Sequence, residues 1–81
     1  MRAIFMFIKT DPGHVTDVAN CIAEVETFSE AYSISGPYDL LVKLYVDDVD
    51  KIGRLIETQI HSIPHLRETH TILTFEAFQG R

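Results

Sequence analysis

The segment Arg2 to Lys9 (RAIFMFIK) constrains this chain most, because it is β-prone and apolar at nearly every position. In a strand, alternate side chains point to opposite faces, so Ala3, Phe5 and Phe7 line one side and Ile4, Met6 and Ile8 the other. Such a strand needs cover on both sides. The chain has 81 residues, and a domain of that size buries only about 60% of the surface its unfolded form exposes. A staple, a metal or a partner chain is the usual remedy. The lone Cys21 removes the disulfide option and fits a reducing compartment.

The rest of the chain reads as five further elements. Thr10-Asp11-Pro12-Gly13 carries capping chemistry, with Pro12 suited to a first helical turn. Val15, Val18, Ala19, Ile22 and Val25 follow at helical spacing and predict an amphipathic helix reaching Val25 or Glu26. From Thr27 to Ser35 the period becomes two, with Phe28, Tyr32 and Ile34 on one side of a second strand. Gly36-Pro37-Tyr38 turns the chain, and Asp39 to Val46 (DLLVKLYV) returns as an antiparallel third strand whose face Leu40, Val42, Leu44, Val46 is wholly apolar. Asp47 to Asp50 caps a second helix with the stripe Val49, Ile52, Ile56 and Ile60, which Pro64 ends. Leu66 to Phe78 then alternates as a long fourth strand.

This order, β-α-β-β-α-β, predicts an α+β, ferredoxin-like domain over residues 1–81: a four-stranded antiparallel sheet with both helices on one face. Two helices cover only one face of that sheet, yet the first strand is apolar on both. Exposing its outer large side chains forfeits about 1.5–3 kcal/mol each, against a typical total stability of about 5–15 kcal/mol. The expectation is a homodimer that pairs through the sheet, with the aromatic arm Phe75 to Phe78 able to cross onto the partner.

Several function classes fall away on residue chemistry. Seven Lys and Arg against twelve Asp and Glu, a net charge of −5 with no basic run, are the wrong field for a phosphate backbone, so direct nucleic-acid binding is not expected. The longest apolar run, Ala3 to Ile8, is far short of the roughly 20 residues of a membrane helix. It lacks a signal-peptide cleavage site as well, and a soluble, cytoplasmic protein is expected. His14, His61, His65 and His70 match no metal motif, and Pro64 splits the 61/65 pair, so no metal site is expected. Cys21 has no second cysteine or cationic cluster beside it and reads as a half-buried, inert thiol. No phosphate-cradling glycine loop is present, no other cofactor is called for, and no catalytic nucleophile stands out.

What does stand out is Ser35-Gly36-Pro37-Tyr38-Asp39, a turn that presents backbone groups, an aromatic ring and a carboxylate immediately before an apolar strand. Asp39 there either takes a turn hydrogen bond or pairs with an ammonium group. Gly36-Pro37-Tyr38-Asp39-Leu40-Leu41, followed by an apolar strand, a helix, Ile63-Pro64 and Glu68-Thr69-His70-Thr71, resembles the effector-binding (RAM) domain of the leucine-responsive regulator (Lrp)/AsnC family over essentially the whole chain.

The resemblance implies a sheet-to-sheet dimer of the dimeric α+β barrel type, assembled into rings, commonly octameric, that bind small effectors, typically amino acids, between dimers. Gly36, Pro37, Tyr38 and Asp39 would form one wall of that site, and Thr69 and Thr71 of a neighbouring subunit the other. Members usually begin with a helix-turn-helix domain. Here Met1 leads straight into the first strand, which implies a stand-alone member without a DNA-binding domain, acting through ligand-sensitive assembly or by joining full-length regulators. His65 stands where the family most often has glycine after its proline. Two other readings share the architecture: a small cofactor-independent monooxygenase or isomerase of the dimeric α+β barrel kind, and a purely structural or ACT-like regulatory subunit.

Overall fold

A computed structural model describes residues 1–80 and has the expected element order. Strand β1 (Arg2–Thr10) is followed by helix α1 (Val15–Ile22), strands β2 (Phe28–Ser33) and β3 (Leu40–Val46), a second helical segment centred on α2 (Ile52–Leu55), and strand β4 (Leu66–Leu73). The sheet runs β2-β3-β1-β4 with every neighbouring pair antiparallel. β1 is therefore central, paired with β3 from Arg2↔Val46 to Ile8↔Leu40 and with β4 from Ile4↔Leu73 to Thr10↔Leu66.

Alternation decides the layers. Ile4, Met6 and Ile8 of β1 and Leu40, Val42, Leu44 and Val46 of β3 are buried with Val18 and Ile22 of α1, Val25, and Ile60 and Ile63 after α2. The opposite face, with Ala3, Phe5, Phe7, Leu41, Lys43 and Tyr45, has no helix over it and is only half-covered by its own side chains. The molecule is consequently a slab, 38 × 30 × 18 Å.

Several local readings change. Pro12 lies in a turn ahead of α1: Gly13 takes φ 83°, and the His14 N–H donates to the Asp11 carbonyl at 3.2 Å. Pro-Gly at the two central positions favours a type II turn, which outcompetes an early helix start. The helix also ends sooner, at Ile22, and Cys21 is exposed because Val15, Val18, Ala19 and Ile22 occupy the stripe packed on the sheet.

In β2 a bulge between Phe28 and Glu30 resets the alternation, so Phe28 faces Leu44 but Ala31, not Tyr32, faces Val42. Tyr32 is turned onto the helix-free face. β4 stops at Leu73, since β1, its only partner among the described strands, has nearly run out there; beyond it the Thr74 hydroxyl donates to the Ala3 carbonyl at 2.6 Å. The remaining arm carries Phe75 and Phe78, 91% and 84% exposed.

The second helical segment starts as expected, with the Asp48 carboxylate accepting from the Asp50 N–H at 3.0 Å. It then changes register: a 3-10 turn (Val49–Lys51), α2, and a π turn (Ile56–Ile60) closed by the His61 N–H on the Ile56 carbonyl at 2.8 Å. Hydroxyl competition accompanies the π turn. Thr58 Oγ1 donates to the Arg54 carbonyl at 2.8 Å and Ser62 Oγ to the Thr58 carbonyl at 3.0 Å, and such back-bonding bends helices.

Candidate functional site

The turn between β2 and β3 is fastened to the end of β1 through Asp39. Its backbone N–H donates to the Ile8 carbonyl at 2.8 Å, and its own carbonyl accepts from the Ile34 N–H at 3.0 Å. Carboxylate Oδ2 accepts from the Thr10 backbone N–H at 2.9 Å and from the Thr10 hydroxyl at 3.4 Å. Thr10 is only 4% exposed, so Asp39 satisfies a donor that water does not reach. Of the two roles open to Asp39, this geometry fills the turn role with one oxygen; Oδ1 has no hydrogen-bond partner among the described residues.

Gly36 takes φ 106°, a conformation that a Cβ disfavours, and the Pro37 carbonyl accepts from Lys9 Nζ at 3.2 Å. Tyr38 lays its ring 5.5 Å from Phe7, and both stand 6.4 Å from His70, an aromatic triangle on the helix-free face.

Thr69 and Thr71 sit across β1 from this turn. They are opposite Ile8 and Met6 on β4, hence on the helix side of the sheet. One chain therefore gathers Gly36, Pro37, Tyr38 and Asp39 but leaves Thr69 and Thr71 apart from them. Thr69 has a partner that sequence alone did not suggest: its hydroxyl lies 3.3 Å from His61 Nε2, which the π turn carries to the β4 edge. Thr10 is a second such residue, legible in the sequence only as a helix cap.

Beside Thr10, His14 and His65 stack with ring centroids 3.5 Å apart and planes 6° apart. Asp17 lies 3.0 Å from His14, and Asp11 3.3 Å from His65 and 3.7 Å from Arg67. His65 has φ 68°, and a non-glycine residue in that region costs about 1–3 kcal/mol that its surroundings must offset. The stack, the Asp11 contact and a 2.8 Å bond from the Asp11 N–H to the His65 carbonyl do so. No described group of three or more His, Cys, Asp or Glu side chains is arranged to hold a metal ion. No described helix is long and apolar enough to cross a membrane.

The helix-free face holds a charged centre. Lys43 lies 5.0 Å over Tyr45, 5.9 Å from Phe5 and 3.8 Å from Glu30, and Glu30 accepts from the Tyr32 hydroxyl. The Tyr45 side chain chiefly raises the Lys43 pKa, and the hydrogen bond to Glu30 chiefly raises that of Tyr32. Raised values mean that the folded state holds both protons more tightly. The cluster's contribution is then complete below the ordinary values, about 10 for tyrosine and 10.4 for lysine, and is lost as pH rises through the raised ones. Melting temperatures followed from pH 7 to 11 should lose this contribution only in the alkaline range, with a shallower loss in Lys43→Gln.

The space between helices and sheet, where an enzyme of the dimeric α+β barrel kind would need a wet cleft, is filled by Ile4, Met6, Ile8, Val18, Ile22 and Ile60, all fully buried.

Comparison with known proteins agrees with this architecture. The transcriptional regulator FL11 of Pyrococcus abyssi is 29% identical over 72 residues, 89% of this chain and 47% of the regulator. The chain spans about half the length of the curated relatives it matches. The structure of TTHA0845 from Thermus thermophilus superposes with a TM-score of 0.91 at 30% identity, covering 99% of this chain and 100% of that one. The regulator NMB0573 of Neisseria meningitidis, solved as an L-Met complex, shares the fold at a TM-score of 0.85 and 9% identity, covering 98% of this chain and 53% of that one. The model of the Lrp/AsnC ligand binding domain matches residues 3–80, and with the βαββαβ order and the Gly36–Asp39 turn in place, the chain belongs to that family.

Proposed function

We propose that this chain is an oligomeric small-molecule sensor whose effector is an amino acid, held by the Gly36–Asp39 turn of one subunit and Thr69 and Thr71 of another. The observation that carries the reading is Asp39. One carboxylate oxygen is pinned to Thr10 while the other has no partner among the described residues, a preorganised acceptor for an ammonium group. Gly36 and Pro37 shape the turn that presents it, and Tyr38 adds an aromatic wall. The L-Met complex of NMB0573 supports the ligand class.

Assembly follows from surface. The accessible area is 5655 Å², whereas a folded monomer of this mass should expose about 4,900 Å². The difference, about 700 Å², is surface available to a partner chain. The helix-free face and the exposed arm supply it, and a second copy of the chain laid on that face forms the dimer. Dimers closing into a ring, commonly an octamer in the family, would bring Thr69 and Thr71 to a neighbour's Asp39. The output is then ligand-sensitive assembly, or association with full-length DNA-binding regulators of the family.

Native mass spectrometry with each of the twenty amino acids, paired with thermal shifts, tests both parts. The expected result is a closed oligomer and at least one amino acid that raises the melting temperature, since ligand at a hundredfold its Kd adds about 2.7 kcal/mol. A monomer that no amino acid stabilises would end the reading.

A further inference from the structure

The helix-free face is not uniformly apolar, and the exception is informative. Toward its β2 edge, the bulge in β2 places Glu30 opposite Lys43 of β3, and Lys43 lies opposite Phe5 of β1. Lys43 is already largely enclosed, its side chain 25% exposed, by Phe5, Tyr45 and Glu30; Glu30 is 44% exposed. Around the pair stand Phe5, Tyr45, Tyr32 and Ile72. Any chain that covers this face strips water from one cation and one anion together.

Removing water from a charge is costly unless an opposite charge compensates it, and deleting one member of a buried pair costs far more than the pair itself contributes. The two charges already compensate each other within one chain at 3.8 Å; a partner that brings an opposite charge to each improves that compensation, and one that brings a like charge worsens it. A patch with one cation beside one anion is complementary to itself: a two-fold axis between two such patches can set each lysine against the other copy's glutamate. Charge complementarity thus names the occupant.

We propose that Glu30 and Lys43 are the pairing determinants of the sheet-to-sheet dimer, each reaching the opposite charge across the two-fold as well as within its own chain, so that this face selects a second copy of itself. The proposal rests on the dimer reading above and adds its recognition chemistry. Tyr32 belongs to the device, because its hydroxyl orients the Glu30 carboxylate.

Charge reversal separates the possibilities. Glu30→Lys and Lys43→Glu are purified singly and then mixed, with sedimentation velocity as the readout and circular dichroism to establish folding. Each single variant, carrying two like charges on the face, should be folded and associate at least tenfold more weakly than the natural chain. The equimolar mixture should regain association, as one copy then brings two lysines and the other two glutamates. Single variants that associate as tightly as the natural chain would overturn the proposal. Folded single variants that stay apart on mixing would overturn pairing across the interface. A natural chain that is monomeric at high concentration would instead remove the dimer itself. As a guard against misfolded reversals, Glu30→Gln should weaken association with little change in the melting temperature of the dilute chain; unchanged association there would also count against the pair.

Discussion

Replacing Leu44 with alanine should lower stability by about 2–5 kcal/mol, the range for deleting a fully buried leucine side chain. Leu44 is 0% exposed in the central region of the sheet, opposite Ile4 on one side and Phe28 on the other. Those neighbours are held by ladder hydrogen bonds and cannot collapse fully into the space, so both the lost transfer energy and the cavity contribute. Against a total of about 5–15 kcal/mol the loss is large. Urea unfolding at fixed chain concentration measures it, because an assembling protein changes apparent stability with concentration. A change below about 1 kcal/mol would mean that Leu44 does not sit in a tightly packed core.

The second large effect concerns Asp39 and separates its structural role from its proposed binding role. Asp39→Ala leaves the Thr10 N–H without an acceptor in a place that is 4% exposed, and an orphaned buried donor costs about 1–3 kcal/mol. Any stabilisation by an amino acid should vanish with it. Asp39→Asn retains an acceptor oxygen for Thr10 but removes the charge. It should recover most of the stability while still failing to respond to the ligand. If Asp39→Asn keeps full ligand affinity, the carboxylate does not hold the ammonium group and only the turn role remains.

The candidate site was unevenly legible. The Gly36–Asp39 turn is legible because its chemistry is local: a glycine at positive φ, a proline and a carboxylate within four residues. Thr10 was not, because its function depends on Asp39 arriving beside it from 29 positions away. His65 is a middle case. The motif marks it as standing in place of glycine, and the backbone keeps the glycine-like φ of 68°, yet the ring that stabilises it, His14, comes from the start of α1.

The same division runs through the fold. Alternation in β1 and β3, the helical stripes and the turn residues are nearest-neighbour properties, and they determined the order βαββαβ and the buried face. Tertiary pairing decided the rest. The bulge that turns Tyr32 outward and aligns Glu30 with Lys43 exists only in register with β3, and β4 ends where β1 has almost no residues left to pair with it. The separation of Thr69 and Thr71 from Asp39 is decided by the strand order, which puts β1 between them. Hydrogen-bond ladders join residues by register rather than by sequence distance, so periodicity can assign a side chain to a face but cannot say which strand will meet it there.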